Sequence, residues 1–205
     1  MIAPFGPQGF AALLLAVAFG VLTAAVLPRD SPLKRLDERM MGALARRRSH
    51  RLDGVAGPLS MLATQEPLTV QGAIAFALLL VTTDRNAVIH FVVAAIGSGA
   101  LSELAKRAVA RPRPTVAHLI RWIRGSSYPS GDLLTATAIY LTIALIVHPY
   151  LPDTTASVVL FTTVATLLGI LASCRVYAGV HYPSDVLAGS LLGAAWALFV
   201  SDRFT

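Results

Sequence analysis

Gly9–Leu27 reads GFAALLLAVAFGVLTAAVL, a run with no charged side chain that Pro28 closes. A helix needs about 20 apolar residues to cross the hydrocarbon core of a bilayer, so this run is long enough for a membrane span. The pattern recurs down the chain. Leu68–Thr83, Ala87–Ala105, Leu133–Val147, Ala156–Ser173 and Pro183–Val200 are predominantly apolar, with Asp84-Arg85-Asn86 and His148–Asp153 as short polar connections. Pro67 and Pro183 stand where helices can begin, because a first-turn residue has no intrahelical N–H bond to lose. The expected fold is all-α: a polytopic membrane protein with six transmembrane helices.

Composition agrees. Of 205 residues, 55% are hydrophobic, 14% charged and 7% aromatic, and the mean hydropathy is +0.66. Ordinary soluble domains carry roughly 25% charged and roughly 45–50% apolar residues, so one water-soluble core cannot hide this much apolar surface, and disorder is excluded. A single cysteine, Cys174, rules out an intrachain disulfide framework and an all-cysteine metal site; its simplest role is as a small buried residue. The net charge of +6 and pI near 10.1 fit anionic lipid head groups and topology signals rather than nucleic acid. No basic segment precedes the first apolar run, since the sequence starts Met1-Ile2-Ala3-Pro4-Phe5-Gly6, and further spans follow it; a retained helix is expected rather than a cleaved signal. No internal repeat or linker divides residues 1–205, so one transmembrane domain is expected, with its oligomeric state left open.

Residues 28–66 form the longest polar connection. Leu33, Leu36, Met40 and Leu44 recur there at three- and four-residue spacing among Lys34, Arg35, Arg39 and Arg46–Arg48. The spacing suits an amphipathic helix lying in the membrane interface between the first and second spans; a solvated basic helix on a loop is the alternative. Gly97–Ala100 and the pair Gly189 and Gly193 offer small-residue surfaces for helix packing. With six spans, connections 1–2, 3–4 and 5–6 share one side, which carries fifteen of the seventeen lysines and arginines, Arg121 and Arg124 among them; only Arg85 and Arg203 fall opposite. Positive charge favours the cytoplasm. The basic side is therefore expected to face the cytoplasm, and both termini outward.

Three clusters lie on that basic side. Lys106 and Arg113 stand where the third span ends, and Arg175 where the fifth does; guanidinium groups bind phosphate through forked hydrogen bonds, and lysine adds a point charge. Ser130 and Gly131 immediately precede the fourth span, at a helix N-terminus whose free N–H groups favour an anion. His181 precedes the sixth span, with Asp185 one turn on, where a carboxylate can reach one imidazole nitrogen and leave the other free to attack. Each fragment alone is most simply a cap, an anchor or a structural pair, and Glu103 could pair with Lys106 or Arg107. Together they put cations, anion-binding amides and a nucleophile–orienter pair on one side.

Lys106-x6-Arg113-Pro114, Pro129-Ser130-Gly131 and Arg175-x5-His181-x3-Asp185 resemble the three-part signature of the type 2 phosphatidic acid phosphatase (PAP2) superfamily. The resemblance implies a six-helix membrane lipid phosphatase with no metal or other cofactor. By position, His181 would be the nucleophile that forms a phosphohistidine and Asp185 its orienter, while Lys106, Arg113, Ser130, Gly131 and Arg175 would hold the phosphate. Two positions depart from the family pattern: Cys174 stands where serine is usual, and Asp132 where histidine is usual. In the family that histidine protonates the departing oxygen. An aspartate among cations is ionised near pH 7 and has no proton to give, unless a bound phosphate dianion keeps it protonated. A natural variant, an acid working at lower pH and a substrate-trapping substitution all fit.

The implied activity is hydrolysis of a phosphomonoester or diphosphate of a membrane lipid, of the phosphatidate, phosphatidylglycerol phosphate or polyprenyl phosphate type. A low-turnover phospholipid-binding protein and a lipid phosphotransferase are the alternatives. On sidedness the resemblance pulls against the charge count, because many bacterial relatives act on the outer face.

Overall fold

The computed structural model describes residues 6–115 and 125–204, and every regular element among them is helical. The elements are α1 (Pro7–Val26), α2 (Pro32–Arg46), α3 (His50–Leu62), α4 (Gln65–Thr82), α5 (Arg85–Val109), α6 (Gly131–Val147, continued by a 3-10 turn to Tyr150), α7 (Thr154–Tyr177) and α8 (Pro183–Ser201). Six of them, α1 and α4–α8, are long and apolar enough to cross a membrane. The chain is a multi-pass membrane protein. Arg121 and Arg124, counted above for topology, lie outside the described residues.

Helix starts follow local chemistry. Asp84 and Asp153 accept from the N–H groups of Ala87 (2.9 Å) and Ala156 (2.8 Å), satisfying donors that a helix start leaves open. Proline occupies the first turn of α1, α2 and α8, where its fixed φ suits the helix.

The inner pair is α6 and α8, each buried over 56% of its span, whereas α4 and α7 are buried over only 11%. Glycine makes the close approach possible. A Cβ on Gly189 would collide with the Ser130 carbonyl, and one on Gly193 with the Leu134 carbonyl, so the small-residue pair lets the α8 backbone rest on α6. Gly97 of α5 is covered in the same way by the Trp196 ring, whose Nε1–H donates to the Ala94 carbonyl at 3.0 Å. Gly193→Val is expected to cost about 1–3 kcal/mol through overpacking, read as a lower melting temperature in detergent.

The long connection holds two helices where the sequence pattern shows one. On α2, Asp37 and Met41 face inward while Leu36 (51% exposed) and Met40 (43%) face outward. The additional helix, α3, contains Gly54, Gly57 and Pro58, which lower helix propensity and mask it in the sequence. It is tied to α7: Arg48 donates to the Tyr177 carbonyl at 2.8 Å, and the Tyr177 hydroxyl donates to Asp53 at 2.8 Å. Ala110 ends α5 in the left-handed region (φ 47°), turning the chain so that Arg111 runs back under the bundle.

Candidate active site

The C-terminal ends of α5 and α7 meet the N-terminal ends of α6 and α8, with α2 and α3 alongside. Ser130 caps α6, its Oγ accepting from the Leu133 N–H at 3.4 Å, and its own N–H donates to the Asp185 carbonyl at 2.9 Å. That bond locks the start of α6 to the first turn of α8. A Cβ on Gly131 would strike Ser102 Oγ and come within 2.8 Å of Lys106 Nζ. The ammonium therefore lies against the α6 N-terminus, where free N–H groups and the helix dipole already favour an anion. Glu103 stands 3.5 Å from the same ammonium.

Arg175, only 1% exposed, pairs with the Asp132 carboxylate through Nη2, and its Nη1 donates to the Ser60 carbonyl (3.3 Å) and Oγ (3.4 Å) of α3. Its buried Nε has no hydrogen-bond partner among the described residues. Arg113 donates through Nη1 to the Val180 carbonyl at 2.7 Å and through Nη2 to the Ser126 carbonyl at 3.4 Å. Burial first, and then the nearby Arg175 charge, press the Arg113 pKa below its ordinary value. Two guanidinium groups held this close are built to share an anion.

His181, 1% exposed, has Nδ1 at 2.9 Å from the Ser127 carbonyl. A carbonyl only accepts, so Nδ1 carries the proton and Nε2 keeps its lone pair. Nε2 lies 3.5 Å from Arg113 Nη1 and 3.6 Å from Asp132 Oδ2. The structure thus brings Lys106, Arg113, Ser130, Gly131, Asp132, Arg175 and His181 together at one end of the bundle.

Asp185 differs from expectation. Its Oδ2 stands 3.8 Å from His181 Nδ1, too far for a hydrogen bond, and accepts instead from the Tyr182 N–H at 2.8 Å. The direct orienter of the imidazole is the Ser127 carbonyl. Asp185 holds the segment carrying His181, and its negative charge lies beside the ring.

Asp37 and Arg111 are absent from the expected site, yet they anchor it. Arg111 Nη1 donates to Asp185 Oδ1 and Ser184 Oγ, and Nη2 donates to Asp37 Oδ2, all at 2.8 Å. Asp37 also accepts from the Ser184 N–H at 3.2 Å and bonds the Ser184 hydroxyl. The guanidinium lies 3.9 Å over the Tyr182 ring, a cation–π stack. Asp37, Arg111 and Asp185 are all buried, so each charge depends on the others. The sequence signal for Asp37 is an acid set inside the inward stripe of an amphipathic helix. Cys174 is buried, as expected of a small core residue. Among the described residues, no three His, Cys, Asp or Glu side chains converge as metal ligands.

The pattern of the PAP2 superfamily matches residues 87–204, more than half of the chain and all three clusters. The chain is 35% identical over 116 residues to the lipid A 1-phosphatase of Rhizobium johnstonii, covering 52% of this chain and 43% of that protein. It is 33% identical over 94 residues to phosphatidylglycerophosphatase B of Bacillus subtilis, covering 45% and 46%. The match spans under half the length of either relative. Two crystal structures share the fold at 23% identity. One is a transmembrane PAP2 type phosphatidylglycerolphosphate phosphatase from Bacillus subtilis (TM-score 0.83, 93% of this chain and 94% of that one). The other is Aquifex aeolicus LpxE (0.60, 79% and 92%). Helix order, converging clusters and sequence pattern agree, and the chain belongs to the PAP2 superfamily.

Proposed function

We propose that this chain is a membrane lipid phosphatase that works through a phosphohistidine at His181 and without a metal. The observation that carries the reading is the Nδ1 bond to the Ser127 carbonyl, which leaves Nε2 as a nucleophile facing Arg113 within a ring of cations. Nε2 attacks phosphorus and the bond from phosphorus to the lipid-side oxygen breaks, its electron pair leaving with the lipid product, while Lys106, Arg113, Arg175 and the α6 N–H groups hold the phosphoryl oxygens and stabilise the charge that spreads over them in the transition state. Water then releases phosphate from the imidazole, and Asp132, beside Nε2, handles the proton. A cationic cluster at helix ends suits a substrate whose tail lies in the bilayer and whose phosphate sits at its edge: phosphatidate, phosphatidylglycerol phosphate, or a polyprenyl phosphate or diphosphate. The relatives' names, for lipid A and phosphatidylglycerophosphate, support that class.

Purified protein given this panel in detergent is expected to release phosphate, and excess EDTA to leave the rate unchanged. No turnover of any of these lipids between about pH 4 and 8, a range that spans ordinary carboxylate and imidazole ionisation, would contradict the reading. Products carrying phosphate on an added alcohol would instead identify a phosphotransferase. The Asp132–Arg175 ion pair favours a second reading, a lipid-binding protein of low turnover whose own carboxylate occupies a phosphate contact.

The charge count bears on sidedness. Of the fifteen cations on the site's side, Arg48, Lys106, Arg111, Arg113 and Arg175 are engaged in the contacts above. Ten remain against two, and on this excess we place the site at the cytoplasmic face. A cysteine at exposed position 39 (Arg39→Cys) should resist a membrane-impermeant maleimide in intact cells and react after lysis. Labelling of intact cells would put the site outside.

A further inference from the structure

Phosphate esters and phosphoanhydrides make opposite demands on such a cup. Breaking an ester P–O bond expels an alkoxide, an oxygen about as basic as the hydroxide of water, whose pKa is about 15.7; that leaving group needs a proton as the bond breaks. Breaking a P–O–P bond expels a phosphate monoester, whose second pKa is about 6, and it departs as a stable anion. The side chain beside the nucleophile shows which demand a site meets.

Here that side chain is Asp132. Its Oδ2 lies 3.6 Å from His181 Nε2 and accepts from Arg175 Nη2. A guanidinium keeps its proton at any working pH, so the pair is ionic and Asp132 is a proton acceptor. The nearby hydroxyls do not fill that need: Ser130 Oγ, which accepts the α6 cap bond, is no more acidic than the alcohol it would have to protonate, and the Tyr128 hydroxyl is bonded to Thr23 Oγ1 at 2.8 Å. Lys106 is a further donor, but losing its proton would strip a positive charge from the cup as negative charge gathers there. Among the described residues, the wall beside the nucleophile supplies a base and no neutral acid.

Resting on the phosphatase reading, we infer that this site is specialised for a lipid diphosphate, and that Asp132 is the base of the second step. In the first step the Nε2 lone pair forms a bond to the terminal phosphorus, and the bridging P–O bond breaks. Its electron pair leaves with the lipid monophosphate, with no proton from the protein. In the second step water attacks the phosphohistidine. Its proton passes to the Asp132 carboxylate, the P–N bond breaks with its electrons returning to Nε2, and inorganic phosphate departs. Asp132 then returns the proton to solvent.

The test compares a polyprenyl diphosphate with the matching polyprenyl monophosphate and phosphatidate in the same micelles, for the native chain and Asp132→His. The native chain should favour the diphosphate in kcat/KM by at least about 100-fold, and Asp132→His should shrink that ratio by about 10²–10⁴, the usual worth of a positioned general acid. Asp132→Asn should accumulate phosphohistidine on the diphosphate, because its second step lacks a base. Equal rates on the two polyprenyl substrates, or preference for the monophosphate, would overturn the inference and leave the phosphatase reading standing. Turnover appearing only in Asp132→His would also overturn it, marking Asp132 as a block. Silence from both proteins on every substrate would sink the phosphatase reading, and the inference with it.

Discussion

Replacing His181 with alanine is expected to lower phosphate release at least about 10⁴-fold, the scale on which enzymes lose rate when a nucleophile or its base is removed. The remaining cations still bind the phosphate, so KM should move far less than kcat. His181 is buried and its Nδ1–H bonds the Ser127 carbonyl, so alanine alone also opens a gap and orphans an acceptor. His181→Asn separates the two effects, since its amide can still donate to that carbonyl while offering no nucleophile. It should melt near the native temperature and be as inactive as the alanine variant. Turnover within about tenfold of native, far less than nucleophile removal costs, would contradict the assignment.

The other large effect concerns Arg111. Its side chain joins Asp37 of α2 to Asp185 of α8, both at 2.8 Å, with side-chain exposures of 4%, 2% and 0% for Arg111, Asp37 and Asp185. Removing the arginine strands two carboxylates away from water. Breaking a buried pair from one side costs about 3–5 kcal/mol, a large share of the roughly 5–15 kcal/mol that holds a typical domain together. Arg111→Ala should therefore accumulate poorly and melt well below the native protein. Arg111→Lys keeps the charge but lacks the fork that reaches both carboxylates. It should recover part of the stability and still lose activity, because Asp185 anchors the turn that carries His181. Native-like melting of Arg111→Ala would show that the bridge is not a structural keystone.

The membrane architecture was legible because it is written in local composition. Each span is a predominantly apolar run, and prolines and aspartates mark where helices begin. The expected span from Ala156 to Ser173 lies inside α7, and Pro183 opens both the expected sixth span and α8. The three clusters were legible for a related reason: their spacing places cations, amides and imidazole at helix ends that a bundle brings together. What stayed hidden depends on contacts distant in the chain. Arg111 is one basic residue among several near the end of α5, and only folding puts Asp37 against it, 74 residues away. Four-residue spacing puts Asp185 within reach of the imidazole. In the structure, however, that carboxylate is spent on the Tyr182 N–H and Arg111, and a backbone carbonyl, invisible to any residue pattern, takes its place. Helix α3 and the Ser60 contact to Arg175 are masked in the sequence, because Gly54, Gly57 and Pro58 weaken the helical pattern.

The most direct measurement is to mix the protein with lipid diphosphate labelled in its terminal phosphate, quench within one turnover into alkali, where phosphohistidine survives, and map the label by mass spectrometry. A single phosphate on His181, lost on acid treatment and absent from His181→Asn, is the expected result. Phosphate release at full rate with no label on His181, or with the label on another side chain, would contradict a phosphoryl group passing through this imidazole.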